Sequence, residues 1–155
     1  MMIYGKPDQE REHFTRLPVK IFYYQSLIDM NEWGNQMRQI VFMTLAADDL
    51  VSCWEIDDAM GTLSLLSETS VEGRPAPLAV DRKNNLLYVG RRDIPRVSSY
   101  RFDPSSGTLE HQFDGPVLQG DPCYLSLDRT SRFLLGAYYN GGAVSVQEVE
   151  AGNFK

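Results

Sequence analysis

The chain is poor in the residues that most often carry chemistry. Its 155 residues include two histidines, His13 and His111, and two cysteines, Cys53 and Cys123. From so few, neither a Ser–His–Asp arrangement nor a histidine-ligated metal site can be assembled. The cysteines form no CxxC pair and have no metal-ligand spacing. Positive charge is also short: 15 Lys and Arg stand against 21 Asp and Glu, a net charge of −6. That removes whole-chain attraction to nucleic acid or to anionic lipid. No apolar run is long enough to span a bilayer. The N-terminal stretch carries Asp8, Glu10 and Glu12 and lacks the basic-then-apolar layout of a secretory signal. These absences set the expectation of a cytoplasmic protein with no nucleic-acid or membrane partner.

What the chain does have is a repeat. Gly73-Arg74-Pro75 through Asp81 returns 47 residues later as Gly120-Asp121-Pro122 through Asp128. Gly61-Thr62-Leu63 returns as Gly107-Thr108-Leu109 and, more loosely, as Gly152-Asn153-Phe154. Val51-Ser52 returns as Val97-Ser98 and Val144-Ser145. Apolar content of 43% excludes disorder. A period in the forties, filled with short apolar runs between Gly, Asp, Asn and Pro, points to β-propeller blades of four antiparallel strands. A capped solenoid is the alternative, but nothing resembling a cap is visible.

The spacing predicts strands over 40–45, 51–56, 63–67, 77–80, 86–90, 97–102, 109–113, 124–127, 133–137 and 144–149. Lettered a to d outward from the axis, they give blades at about 40–72, 76–119 and 123–155. The first blade lacks its strand a, and the last begins its strand d near Phe154. About two and a half blades are thus present, where a closed ring needs roughly 200 to 350 residues. Folding the repeat onto itself sets Cys53 level with Ser99 and Cys123 level with Ala76. The cysteines fall on different strands, so two reduced, mostly buried thiols are expected. Residues 1–36 show no repeat and read as an extension. Val19–Ile28 could supply the missing strand a. Alternatively translation begins at Met37, because the codons for Trp33 to Gln36 must contain a purine-rich run. Native N-terminal sequencing that found residues ahead of Met37 would overturn that start.

Two groups of residues could bind an anion. Arg82, Lys83, Arg91, Arg92, Arg96 and Arg101 face only Asp81 and Asp93 in their window, a local excess of positive charge. The functional reading centres on Arg91, Arg92 and Arg96 in the b–c hairpin; the bland one is a solvated rim. In the turns before strand a, Arg74 and Asp121 occupy equivalent places, to act together on a substrate or pair across the blade boundary. Tyr138, Tyr139 and Asn140 end a strand b, where a sugar could stack or aromatics could pack between blades. His111 is expected to be exposed on an outer strand.

Leu87-Tyr88-Val89-Gly90-Arg91-Arg92, Arg96-Val97, Tyr100-Arg101-Phe102 and Gly107-Thr108-Leu109 resemble the lactonase family of seven-bladed propellers, above all its bacterial 6-phosphogluconolactonase branch. So do Met37-Arg38-Gln39, Val51-Ser52-Cys53-Trp54, Tyr139-Asn140, Gly142 and Val144-Ser145-Val146. The likeness runs from about Met37 to Lys155 and would span roughly the family's first third. The WD signature of scaffold propellers is absent. The resemblance implies hydrolysis of 6-phosphoglucono-δ-lactone to 6-phosphogluconate in the pentose phosphate pathway, with no metal and no organic cofactor. A carboxymuconate-cyclising branch, a non-enzymatic binding propeller and an inactive truncated remnant are the alternatives. Related enzymes usually carry His where this chain has Tyr124, and further family candidates would fall beyond Lys155. Asp121 and Tyr124 are the catalytic candidates, and Arg74, Arg91, Arg92, Arg96, Tyr139 and Asn140 the substrate-binding ones. The expected partner is a sugar-phosphate lactone. A full-length ring would be monomeric, whereas a fragment could self-associate.

Overall fold

A computed structural model describes residues 22–30 and 38–155, with side chains from residue 39 onward. These residues form three four-stranded antiparallel sheets. The first runs β1 (Phe22–Met30), β2 (Arg38–Leu45), β3 (Leu50–Asp57) and β4 (Thr62–Ser70). The second runs β5 (Pro75–Asp81), β6 (Leu86–Arg91), β7 (Arg96–Phe102) and β8 (Leu109–Asp114). The third runs β9 (Pro122–Leu127), β10 (Phe133–Tyr138), β11 (Ala143–Glu150) and a short β12 (Asn153–Phe154). Each expected strand is present, extended by one to three residues at its ends. β1 pairs with β2, Phe22 opposite Leu45, and so occupies the strand-a position of the first sheet. Residues 19–21 of the strand expected there, and the expected start Met37, lie outside the described residues.

The sheets stack face to face in sequence order, and strand alternation decides who meets whom. Leu87 and Val89 of β6 join Phe42, Val51, Cys53 and Phe102 between the first and second sheets. Their neighbours Leu86 and Tyr88 join Leu125, Leu134 and Val149 between the second and third. β6 is therefore buried on both faces, which explains its unbroken apolar run.

The repeat's landmark residues are turn and contact devices. Asp81 ends β5 and Asp128 directly follows β9, and their carboxylates accept backbone N–H bonds from the turn that follows, at Lys83 and Asn84 and at Thr130, Arg132 and Phe133. Gly107 and Gly152 sit in the c–d turns with φ of 71° and 89°. Each presses on strand c of the preceding sheet: a Cβ on Gly107 would lie 2.4 Å from Cys53 Sγ, and one on Gly152 would lie 3.3 Å from Ser99 Oγ. Ser99 Oγ–H donates to the Gly152 carbonyl at 2.7 Å, and Ser67 Oγ–H to the Gly107 carbonyl at 2.7 Å. Cys53 and Ser99 thus hold equivalent places, as the repeat implies. Both cysteines are free thiols, Cys53 buried and Cys123 half-buried.

Candidate active site

Because the strands alternate in direction, the d–a connections and b–c turns share one end of each sheet. The a–b and c–d turns share the other. Arg74, Arg91, Arg92, Arg96, Asp121, Tyr139 and Asn140 all come to the first end. Arg82 and Lys83 lie at the second, a strand of six residues away, about 20 Å. The basic cluster read from the sequence is therefore two separate groups. Contiguity in sequence misled there, since a hairpin carries its two turns to opposite ends.

At the first end the Gly73-Arg74 turn is held in the left-handed region, with φ of 94° and 55°. Gly tolerates this; a side chain at Arg74 raises the energy by about 1–2 kcal/mol. Three contacts hold it. The Arg74 N–H donates to Asp49 Oδ1 at 2.7 Å. The Gly73 carbonyl accepts from the N–H groups of Arg92 and Asp93 at 2.8 and 3.1 Å. The Arg74 guanidinium reaches Asp93 Oδ1 at 3.3 Å, with both side chains more than half exposed. One turn further round, Asn140 Nδ2 donates to Asp121 Oδ2 at 3.2 Å. Residues 74 and 121, and 93 and 140, are each one repeat apart. A cation–carboxylate contact in one sheet is thus replaced by a carboxylate–amide contact in the next. Arg74 and Asp121 each pair within their own sheet and not with each other. The 47-residue offset could have revealed Asp93 and Asn140 as their partners; Asp49 left no such signal.

Arg91 turns across the sheet. Its Nη2 lies 2.9 Å from Asp114 Oδ1, which also accepts from Ser98 Oγ at 2.6 Å and contacts His111 Nε2 at 3.1 Å. Burial acts to raise the Asp114 pKa, but the Ser98 and His111 hydrogen bonds and the Arg91 charge outweigh it and hold the carboxyl below its usual range. His111 is half-exposed, as expected, but not idle. Arg96 lies opposite Arg91 in the β6–β7 register. Tyr138 is buried, with its hydroxyl 2.7 Å from Ser145 Oγ, whereas Tyr139 is 86% exposed. Packing and exposure are thus divided between the two tyrosines. Tyr124 stands on the face of β9 turned away from the second sheet, 56% exposed, opposite Ala137. The arrangement offers forked cations, one oriented carboxylate and an exposed aromatic, the requirements for gripping an anionic sugar beside a base. Among the described residues no group of three or more His, Cys, Asp and Glu could hold a metal ion.

Four-stranded antiparallel sheets stacked in sequence order, inner strand first, define a β-propeller. Residues 40–155 match the family described as lactonase, 7-bladed beta-propeller, and the chain belongs to it. It is 34% identical over 116 residues to a 6-phosphogluconolactonase of Enterobacter, covering 75% of this chain and 34% of the relative. It is 36% identical over 115 residues to that of Pectobacterium atrosepticum, covering 74% and 34%. The chain therefore spans about a third of the length of these relatives. Among solved structures, the periplasmic gluconolactonase of Pseudomonas aeruginosa superposes with a TM-score of 0.64 at 21% identity, over 74% of this chain and 34% of that one. That likeness shows the fold.

Proposed function

We propose that these sheets are part of a 6-phosphogluconolactonase of the pentose phosphate pathway, acting in the cytoplasm on 6-phosphoglucono-δ-lactone. The observation that carries this is the identity to 6-phosphogluconolactonases, 34% over 116 residues and 36% over 115, about three quarters of the chain. In this reading Arg92 and Arg96 grip the phosphate, and Arg91, tied to Asp114, adds charge behind them. Arg74 is available too, because an exposed ion pair such as Arg74–Asp93 is worth little and yields to a stronger anion. Asp121, oriented by Asn140, takes a proton from water as the water oxygen attacks the lactone carbonyl. Tyr124 donates a hydrogen bond to the oxyanion, the carbon–ring-oxygen bond breaks, and the ring oxygen takes up the proton that Asp121 removed from the water. Tyr139 stacks on the sugar.

A chimaera tests this: residues 40–155 replace the matching segment of the Enterobacter enzyme, and lactone hydrolysis is measured above the spontaneous rate. Turnover is expected, and Arg92→Ala should raise KM for the phosphorylated lactone much more than for gluconolactone. A folded chimaera without turnover rejects the function. Equal effects on both lactones reject the phosphate role of Arg92.

One observation also favours self-association of the 155-residue chain. Val144 and Val146 are 82% and 67% exposed and share a sheet face with Leu135 and Tyr124. A second copy would cover Val144, Val146 and Leu135.

A further inference from the structure

The opposite end of the sheets carries a feature that lactone chemistry leaves unused. The a–b turns of the second and third sheets stand side by side around an open cavity of about 720 Å³. Its lining includes Ala79 and Leu127 from the neighbouring inner strands and the cations Arg82, Lys83 and Arg129. Two carboxylates also border it, but both are turned into their own backbones. Asp81 is 2% exposed and accepts from the N–H groups of Lys83 and Asn84 and from the Asn84 side-chain amide at 2.7 Å. Asp128 accepts from the N–H groups of Thr130, Arg132 and Phe133 at 3.0, 2.8 and 2.8 Å and from the Thr130 hydroxyl. Their lone pairs are occupied, so they compete weakly for the cations nearby.

Arg74, Arg91, Arg132 and Lys155 each have a carboxylate partner. Among the described residues, Arg82, Lys83 and Arg129 have no ion pair, as is also true of Arg96 and Arg101, although the chain holds six more acids than bases. The repeat supplies a further argument. Asp81-Arg82 and Asp128-Arg129 are the same dipeptide one period apart. Turn geometry accounts for the aspartate in each; nothing in the turn accounts for the arginine. Two arginines lining one cavity, with a lysine beside them, can supply the forked donors that suit a tetrahedral oxyanion.

We propose that the cavity between the two a–b turns is a second anion site, distinct from the candidate active site, that binds a phosphate group as the free ion or as the phosphomonoester of a small molecule. The proposal does not rest on the lactonase reading, and lactone turnover is not its readout. The test is amide chemical-shift titration of the 155-residue chain at low ionic strength. Inorganic phosphate and glucose 6-phosphate are the probes, and the tighter one identifies the source. Shifts are expected at residues 82–85 and 129–132. Arg82→Ala with Arg129→Ala should weaken binding by roughly tenfold or more, as each arginine loses a charge-assisted hydrogen bond. Arg74→Ala, at the other end, should leave these shifts within about twofold. Should the double variant fail to fold, Lys83→Glu in its exposed turn must weaken binding instead. Absence of shifts in these turns, equal weakening by Arg74→Ala, or chloride competing as well as phosphate would each overturn the proposal.

Discussion

In the second sheet, Leu86 and Leu87 point to opposite faces and both are fully buried; in the third, Leu134 is 3% exposed and its neighbour Leu135 41%. The contrast continues along strand c. Val97 is 4% and Ser99 0% exposed, while Val144 and Val146, one repeat later, are 82% and 67%. Strand order, turns and residue types are alike. The difference is that, among the described residues, the second sheet has a neighbour on each side and the third has one. Burial in a stacked repeat is thus a property of the neighbour as much as of the residue.

The sharpest way to break this comparison is to truncate a leucine on a covered face and one on an uncovered face. Leu87→Ala should lower stability by about 2–5 kcal/mol, because it opens a cavity between two sheets. Leu135→Ala, on the uncovered face, should cost under about 1 kcal/mol. Urea denaturation of both variants measures the gap, and equal effects would mean that the third sheet is covered in solution. A second pair of variants probes the c–d turns. Gly107→Ala combines a left-handed φ with a collision against Cys53 and should cost about 2–4 kcal/mol. Gly61 has the same backbone with nothing within 4 Å, so Gly61→Ala should cost only about 1 kcal/mol. A comparable loss at both sites would show that Gly61 also has a neighbour pressed against it.

Smaller effects sharpen the picture. Val144→Lys with Val146→Lys should abolish concentration-dependent association in sedimentation runs while changing monomer stability by less than about 0.5 kcal/mol. Unchanged association would move the contact elsewhere. The least effect is expected from acid. The Thr130 hydroxyl and the backbone N–H of Phe133 hold the Asp128 carboxyl down at about 2, against 3.8 ordinarily. A depressed folded pKa gives stability that is present above the unfolded value and lost as pH falls through the folded one. The loss should therefore run from about pH 4 to pH 2, and Asp128→Asn should flatten the stability curve there, as followed by circular dichroism.

Much of this was legible in the chain. A 47-residue period with Gly, Asp and Pro at fixed places gave the strands, their order and the stacking. It worked because each landmark answers a local demand: a left-handed turn at Gly107, a capped turn at Asp81. The candidate site was legible only as a set of residues. The period brought Arg74 and Asp121 to equivalent places, but their partners Asp93 and Asn140 stand on a different turn. A side chain's reach also has no sequence signal, so the run of arginines gave no hint that Arg91 crosses the sheet to Asp114.

The sequence by itself determined the blade, because strand alternation and turn chemistry are local and repeat whenever their residues do. Only the tertiary structure decided which arginines stand together. Antiparallel pairing sends Arg82 and Arg92, ten residues apart, to opposite ends, and sheet stacking brings Arg82 and Arg129, a whole period apart, to the walls of one cavity.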